Sequence, residues 1–191
     1  MPLKPGLARI GEVAALLGSD DPETKQTAAW AVGQIGGVPA AVAARLAQLL
    51  AGDQPAGPRW FATEALGELG DVGTPFAGEI ARLLQDPSAE LRAVAARALG
   101  QLCAGSPGRA SELAPLLRDS DASVQEGAAE ALGRMGGAAA AHADAVRRLL
   151  DGDDVDLVAT AQKALGRMLG TPSCPAAPAA AAGPEGPVGP G

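Results

Sequence analysis

One leucine cadence constrains this chain more than any single residue. A Leu-Leu pair occurs at Leu16-Leu17, Leu49-Leu50, Leu83-Leu84, Leu116-Leu117 and Leu149-Leu150, the second members lying 33, 34, 33 and 33 residues apart. Behind each pair, 15 or 16 residues on, comes an apolar-Gly step: Val32-Gly33, Leu66-Gly67, Leu99-Gly100, Leu132-Gly133 and Leu165-Gly166. From each step to the next pair the spacing is always 18 residues. A fixed period of this length marks stacked repeats, in which each unit buries its apolar face only against its neighbours. The cadence therefore predicts one elongated unit over residues 5–170, with repeats at about 5–37, 38–71, 72–105, 106–137 and 138–170.

Two helical patterns alternate inside each repeat. In the first, Val13, Leu46, Ile80, Leu113 and Val146 stand four residues before the second Leu and share its face. In the second, Ala28, Ala62, Ala95, Ala128 and Ala161 stand four residues before the apolar residue of the step. Directly before it stand Ala31, Ala65, Ala98, Ala131 and Ala164. Two unbroken alanine columns are expected where another helix backbone passes close by, and alanine, about a quarter of the chain, is also the best helix former. The predicted fold is all-α, ten helices in five antiparallel pairs.

The glycine column needs a cause, because glycine inside a helix costs about 1 kcal/mol relative to alanine. Close approach of the next helix is the expected one; helix capping falls more naturally to Gly36, Gly70, Gly136 and Gly170. Acidic turns join the helices of a repeat: Asp20-Asp21-Pro22, Asp86-Pro87, Asp119-Ser120-Asp121 and Asp151-Gly152-Asp153-Asp154. They read as helix caps and not as calcium loops, which need a Gly and a terminal Glu in one run of alternating ligands. Repeat 2 carries the one extra residue, in Gln54-Pro55-Ala56-Gly57-Pro58, and its second helix is expected to start near Pro58.

These residues resemble HEAT repeats, whose units read Leu-Leu, Asp-Pro, a basic residue, then Ala and Leu-Gly. Repeat 3 carries the resemblance most fully, with Leu83-Leu84, Asp86-Pro87, Arg92, Ala95-Ala96 and Ala98-Leu99-Gly100. The resemblance implies a right-handed α-solenoid of five HEAT-like helical-hairpin repeats. It also implies a ladder of turn Asp and basic residues between neighbours. Here the basic column reads Lys25, Arg59 and Arg92, then Gln125 and Val158, so the ladder is expected in the first three repeats only.

Composition narrows the function. With 22 acidic and 15 basic groups the net charge is −7, which disfavours nucleic acid and anionic membrane as partners. No run approaches the ~18 apolar residues of a membrane span, and no signal-peptide core is present, so a cytoplasmic location is expected. Cys103 and Cys174 supply neither disulfide framework nor metal spacing. Among HEAT-like enzymes, deoxyhypusine hydroxylase holds iron through His-Glu pairs; this chain has one histidine, His142, and no such pair. No catalytic residue, metal or cofactor is assigned. Residues 1–4 read as a leader, and the Pro, Ala and Gly-rich segment 171–191 as a disordered tail.

What remains is one face of the second helices. Trp30, Glu64, Arg97, Glu130 and Lys163 stand two residues before the step, and Gln34, Glu68, Gln101, Arg134 and Arg167 four residues after those. By the resemblance this face lines a concave groove. Both tryptophans lie on or beside it, in a chain with two Trp, two Phe and no Tyr. Trp60 either contacts a partner there or fills space under repeat 2, and Phe61 is expected to be buried. Glu64 and Glu68 make one end acidic, while Arg134, Lys163 and Arg167 make the other basic. The expected function is a non-catalytic scaffold that takes a peptide or helix of a protein partner in this groove. The alternative is a lyase or chaperone subunit of the phycobilin lyase type, acting with a partner chain on a cofactor-bearing protein.

Overall fold

The computed structural model describes residues 5–35 and 37–170; the leader, Gly36 and the segment 171–191 lie outside the described residues. Among the described residues ten α-helices follow one another: α1 (Pro5–Leu16), α2 (Pro22–Ile35), α3 (Ala40–Gln48), α4 (Ala56–Glu68), α5 (Ala77–Arg82), α6 (Ala89–Leu102), α7 (Pro107–Leu113), α8 (Ala122–Met135), α9 (Ala143–Arg147) and α10 (Val155–Leu169). No strand occurs among the described residues. Each odd-numbered helix packs on the even-numbered helix that follows it. The even-numbered helices pack on one another in chain order, so a single row of second helices forms the spine.

The glycine column is the closest contact in that row. A methyl group added at Gly100 would stand 2.5 Å from the Ala131 Cα, and one at Gly133 would stand 2.7 Å from the Ala164 Cα. At Gly67 and Gly33 it would meet the Cα atoms of Ala98 at 3.0 Å and Ala65 at 3.1 Å. Each glycine thus faces the alanine directly before the next repeat's apolar step, and side chains are missing on both sides because two backbones meet there. Val32, Leu66, Leu99 and Leu132, beside those glycines, are fully buried. Leu165 of the last repeat is only half-buried.

Two expectations about helix ends are corrected. The second helix of repeat 2 starts at Ala56, not near Pro58. Starts at Pro22, Ala56, Ala89, Ala122 and Val155 keep phase, so the extra residue is absorbed by the turn before Pro55. The first helices are also shorter than the Leu-Leu stripe suggests. Leu83-Leu84, Leu116-Leu117 and Leu149-Leu150 lie in 3-10 segments at Leu83–Gln85, Ala114–Arg118 and Arg148–Asp151. Tightening the last turn gives carbonyls that lack an α-helical donor a nearer partner, and Pro115 has no N–H to continue the α pattern.

The acidic turns cap helices and tie repeats together. Asp154 accepts from the backbone N–H groups of Asp156 and Leu157 at 3.0 and 3.1 Å, and Asp121 from that of Ser123 at 2.9 Å. Arg92 donates Nε and Nη2 to the two carboxylate oxygens of Asp119 at 2.8 and 2.7 Å. Its Nη1 donates to the carbonyls of Asp86 and Pro87 in its own turn. Arg59 pairs with Asp86 at 2.5 Å. In repeat 1, Lys25 instead donates to Gln54 at 2.9 Å, although Asp53 stands three residues before α4 as Asp86 does before α6. Gln125 turns back to the Asp119 carbonyl at 2.6 Å, so no rung joins repeats 4 and 5 by that route.

Two outcomes follow from these contacts. Gly100→Ala lowers stability by about 1–3 kcal/mol, because backbone cannot yield to the added methyl as a flexible side chain would. Gly78→Ala in α5, where nothing lies within 4 Å, raises it by up to ~1 kcal/mol. Urea unfolding of both variants measures the opposite signs; two losses would remove close packing as the cause. The second outcome concerns pH. Hydrogen bonds from Arg92 hold the Asp119 carboxyl below its usual range, outweighing burial. Its folded pKa is depressed, so the stabilisation is full above the unfolded value of about 3.9 and is lost as pH falls through the folded value. Thermal melts of Asp119→Asn should therefore fall short of wild type near about pH 7 and converge with it at about pH 2.

Candidate partner-binding face

Packing of the second helices at a register of 33 or 34 residues turns sequence columns into rows across one face. Gln34 Nε2 donates to Glu68 Oε2 at 3.4 Å, and the same Glu68 oxygen lies over Gly33, 2.7 Å from where a methyl would stand. Gln101 lies over Gly67 in the same way, at 2.5 Å. Residues four after the Trp30 row thus lean back onto the preceding helix. In the same register Trp30 of α2 corresponds to Glu64 of α4, with Trp60 one helical turn before Glu64.

The aromatic end is partly exposed. Trp30 is 52% exposed, the largest aromatic surface that the described face offers. Trp60 and Phe61 are half-buried and meet edge to face, with ring centroids 4.8 Å apart and planes at 73°. Phe61 packs against the core but stays half-buried, short of the burial expected of it, because part of its ring lies beside Trp60. Trp60 therefore stands between its two readings, braced by Phe61 while keeping part of its ring at the surface.

Charges on the face are less segregated than the sequence suggests. Glu130 and Arg134 form an ion pair within α8 at 2.9 Å. The basic end is thereby reduced to Lys163 and Arg167, both exposed on α10. Burial raises the Glu64 pKa first and repulsion from Glu68 raises it further, against a lowering by Arg97. Glu64 is thus close enough to sense both Glu68 and Arg97, although Arg97 ion-pairs with neither acid among the described residues.

One column escapes the sequence reading. Following the register of Trp60 gives Ala93, Glu126 and Ala159 on the same face. Glu126 accepts from Thr160 Oγ1 at 3.3 Å, joining α8 to α10. A methyl at Gly127 would meet the Ala93 carbonyl at 2.9 Å, so small residues floor the middle of the face. The signal was available in the 33-residue register of Trp60, but small side chains draw no attention as binding residues.

Away from this face, the other chemically interesting groups have ordinary roles. Burial pushes the Cys103 thiol pKa up, against a lowering by Arg109, and the residue packs on the core at the end of α6. His142 ends the 3-10 segment Gly136–His142, with Nε2 3.4 Å from Ser111 Oγ. Cys174 lies outside the described residues. No helix among the described residues is long and apolar enough to cross a membrane.

The raised Glu64 pKa gives a further outcome. An acid whose folded pKa exceeds its unfolded one is a burden above the folded pKa, and that burden disappears as pH falls below the unfolded value. Glu64→Gln should therefore be at least as stable as wild type near about pH 7, with any advantage gone by about pH 3. Paired thermal melts by circular dichroism measure this; a less stable variant at neutral pH would show that Glu64 carries a favourable charge contact in the fold.

Comparison with known proteins places this geometry. A family model described as HEAT repeats matches residues 77–173. The chain is similar to the complex of CpcE and CpcF of phycocyanin lyase from Nostoc sp. PCC7120, at 22% identity and TM-score 0.71, over 88% of this chain and 66% of that one. It is similar to an engineered protein at 23% identity and TM-score 0.67, over 84% of this chain and 79% of that one. A designed armadillo repeat protein in complex with the peptide (KR)4 matches at 19% identity and TM-score 0.64, over 84% of this chain and 82% of that one. No curated protein matches the chain. At such identities the likeness to solved structures is one of fold. The family match covers half of the chain, and with its phased Leu-Leu, Ala and Leu-Gly columns this protein belongs to the HEAT-repeat family.

Proposed function

We propose that this protein is a non-catalytic scaffold that takes a segment of a protein partner on the exposed face of its second helices. The observation that carries the reading is Trp30, a half-exposed indole where every other position of its own row, and every position of the row four residues on, is polar or charged. A large aromatic left in water costs apolar burial, about 25 cal/mol per Å². Tryptophan and arginine are also the residues that most often anchor interfaces. The partner-binding set is Trp30, Gln34, Trp60, Glu64, Glu68, Arg97, Gln101, Glu130, Arg134, Lys163 and Arg167. Two of the similar structures are themselves assemblies, one with a peptide and one of two chains, which supports a protein partner. The lyase-subunit reading ranks second, because likeness to the CpcE and CpcF complex is one of fold and none of these residues selects for a bilin.

Selection from a random peptide display library against the full chain tests this. Selected peptides should bind the chain, and Trp30→Ala should weaken them by about 2 kcal/mol or more, roughly thirtyfold, with helix content unchanged. Binding that survives Trp30→Ala and Trp60→Ala together would place the partner elsewhere. A bilin that binds with a Kd of about 1 μM or tighter while no peptide is selected would favour the lyase reading.

A further inference from the structure

We infer that the segment taken by this face is basic, with a Lys or Arg side chain seated over Glu64 and Glu68 beside Trp30. The inference rests on the reading above, since it names the chemistry of the occupant of the same face.

Three observations converge there. First, the Gln34–Glu68 hydrogen bond joins α2 to α4, and Trp30 and Glu64 stand one helical turn before those two residues on the same pair of helices. Second, Glu64 and Glu68 are one turn apart on α4, where like charges repel, and the five ion pairs among the described residues include neither of them. Arg134, two helices away, is occupied by Glu130. Third, the row of Trp60 adds Glu126 on α8 without adding a cation, and the whole chain carries a net charge of −7. The face therefore offers an aromatic ring and two carboxylates, and Arg97, the cation that acts on Glu64, forms an ion pair with neither of them among the described residues.

A cationic side chain satisfies all three groups together. Its charge is attracted to the electron-rich face of an indole, and its N–H donors match the carboxylate oxygens. A guanidinium suits the patch best, because its plane stacks on the ring while its fork addresses a carboxylate. An acidic segment would add to the Glu64–Glu68 repulsion, and a purely apolar one would strip water from both carboxylates without replacing it. Lys163 and Arg167 on α10 leave room for an acidic residue only at the far end of such a segment.

Calorimetry with three blocked octapeptides on the full chain at low salt tests the assignment: Arg alternating with Ala, and the same peptide with Gln or Glu in place of Arg. The Arg peptide should bind, the other two should not, and affinity should fall as salt rises. Glu64→Gln with Glu68→Gln should weaken the Arg peptide at least tenfold. Glu12→Gln with Glu79→Gln, the same change of net charge on first helices, should leave it within about twofold of wild type. Equal weakening by both pairs would reduce the effect to net charge and overturn the assignment. So would failure of the Arg peptide to bind, or a Gln or Glu peptide binding as well. Library peptides that need Trp30 but lack Lys and Arg would overturn the basic segment while leaving the face as the partner site. Peptides indifferent to Trp30 and Trp60 would instead remove the face itself.

Discussion

Backbone meeting backbone along the row of second helices is the contact on which the rest of this molecule depends. Where Gly100 faces Ala131 there is no room for even one more carbon atom, and the same holds at Gly133 against Ala164. Five glycines inside helices would cost on the order of 5 kcal/mol in helix propensity. That cost is offset because removing the side chains lets Leu66, Leu99 and Leu132 be buried completely, each contributing about 1.5–3 kcal/mol. The approach also fixes register. Two helices that touch through a glycine and an alanine cannot slide without driving a neighbouring side chain into the opposite backbone.

Register at one edge of the row is reinforced by charge. Arg59–Asp86 and Arg92–Asp119 tie repeat 2 to 3 and repeat 3 to 4 where both partners are mostly shielded from water. Each arginine also holds carbonyls of the turn behind it, so the guanidinium staples two turns and does not merely pair with one acid. For Asp86, burial alone would raise the carboxyl pKa, and the Ser88 N–H together with Arg59 and Arg92 outweighs it and lowers it. The ladder weakens outward, to a Lys25–Gln54 hydrogen bond at one end and a Gln125 that serves its own turn at the other. Ordering is thus strongest in the middle repeats, and the aromatic patch sits just beside them.

Such a row suits the proposed partner site because its floor is held by contacts that binding need not disturb. Trp30, Glu64 and Arg97 project from helices whose spacing is set by glycine and alanine underneath. Little backbone entropy then remains to be lost when a segment lies across them. The uneven distribution of side chains matters more than the total charge: a ring and two acids at one end, an ion pair already closed on α8, and two exposed cations on α10.

The sequence alone determined the all-α class, the period, the buried columns of the inner repeats and the reason for the glycines, because each of these is written in spacings along one chain; at the ends, where a neighbouring repeat is missing, Leu16 and Ile35 are exposed and Leu165 is half-buried. Val32, Leu66, Leu99 and Leu132 are buried as their phase required, and Gly33, Gly67, Gly100 and Gly133 face backbone as their cost implied. Phase also named the rows that include Trp30, Glu64 and Arg97. What tertiary structure decided were the relations between columns. Neither the closing of Glu130 on Arg134, nor the lean of Glu68 over Gly33, nor the Trp60–Phe61 contact follows from periodicity. The α4 start at Ala56 and the 3-10 turns at the Leu-Leu pairs were likewise set by packing. Periodicity gives the direction in which a side chain leaves its helix, but its rotamer and partner depend on distances between helices, and those are fixed only when the helices pack.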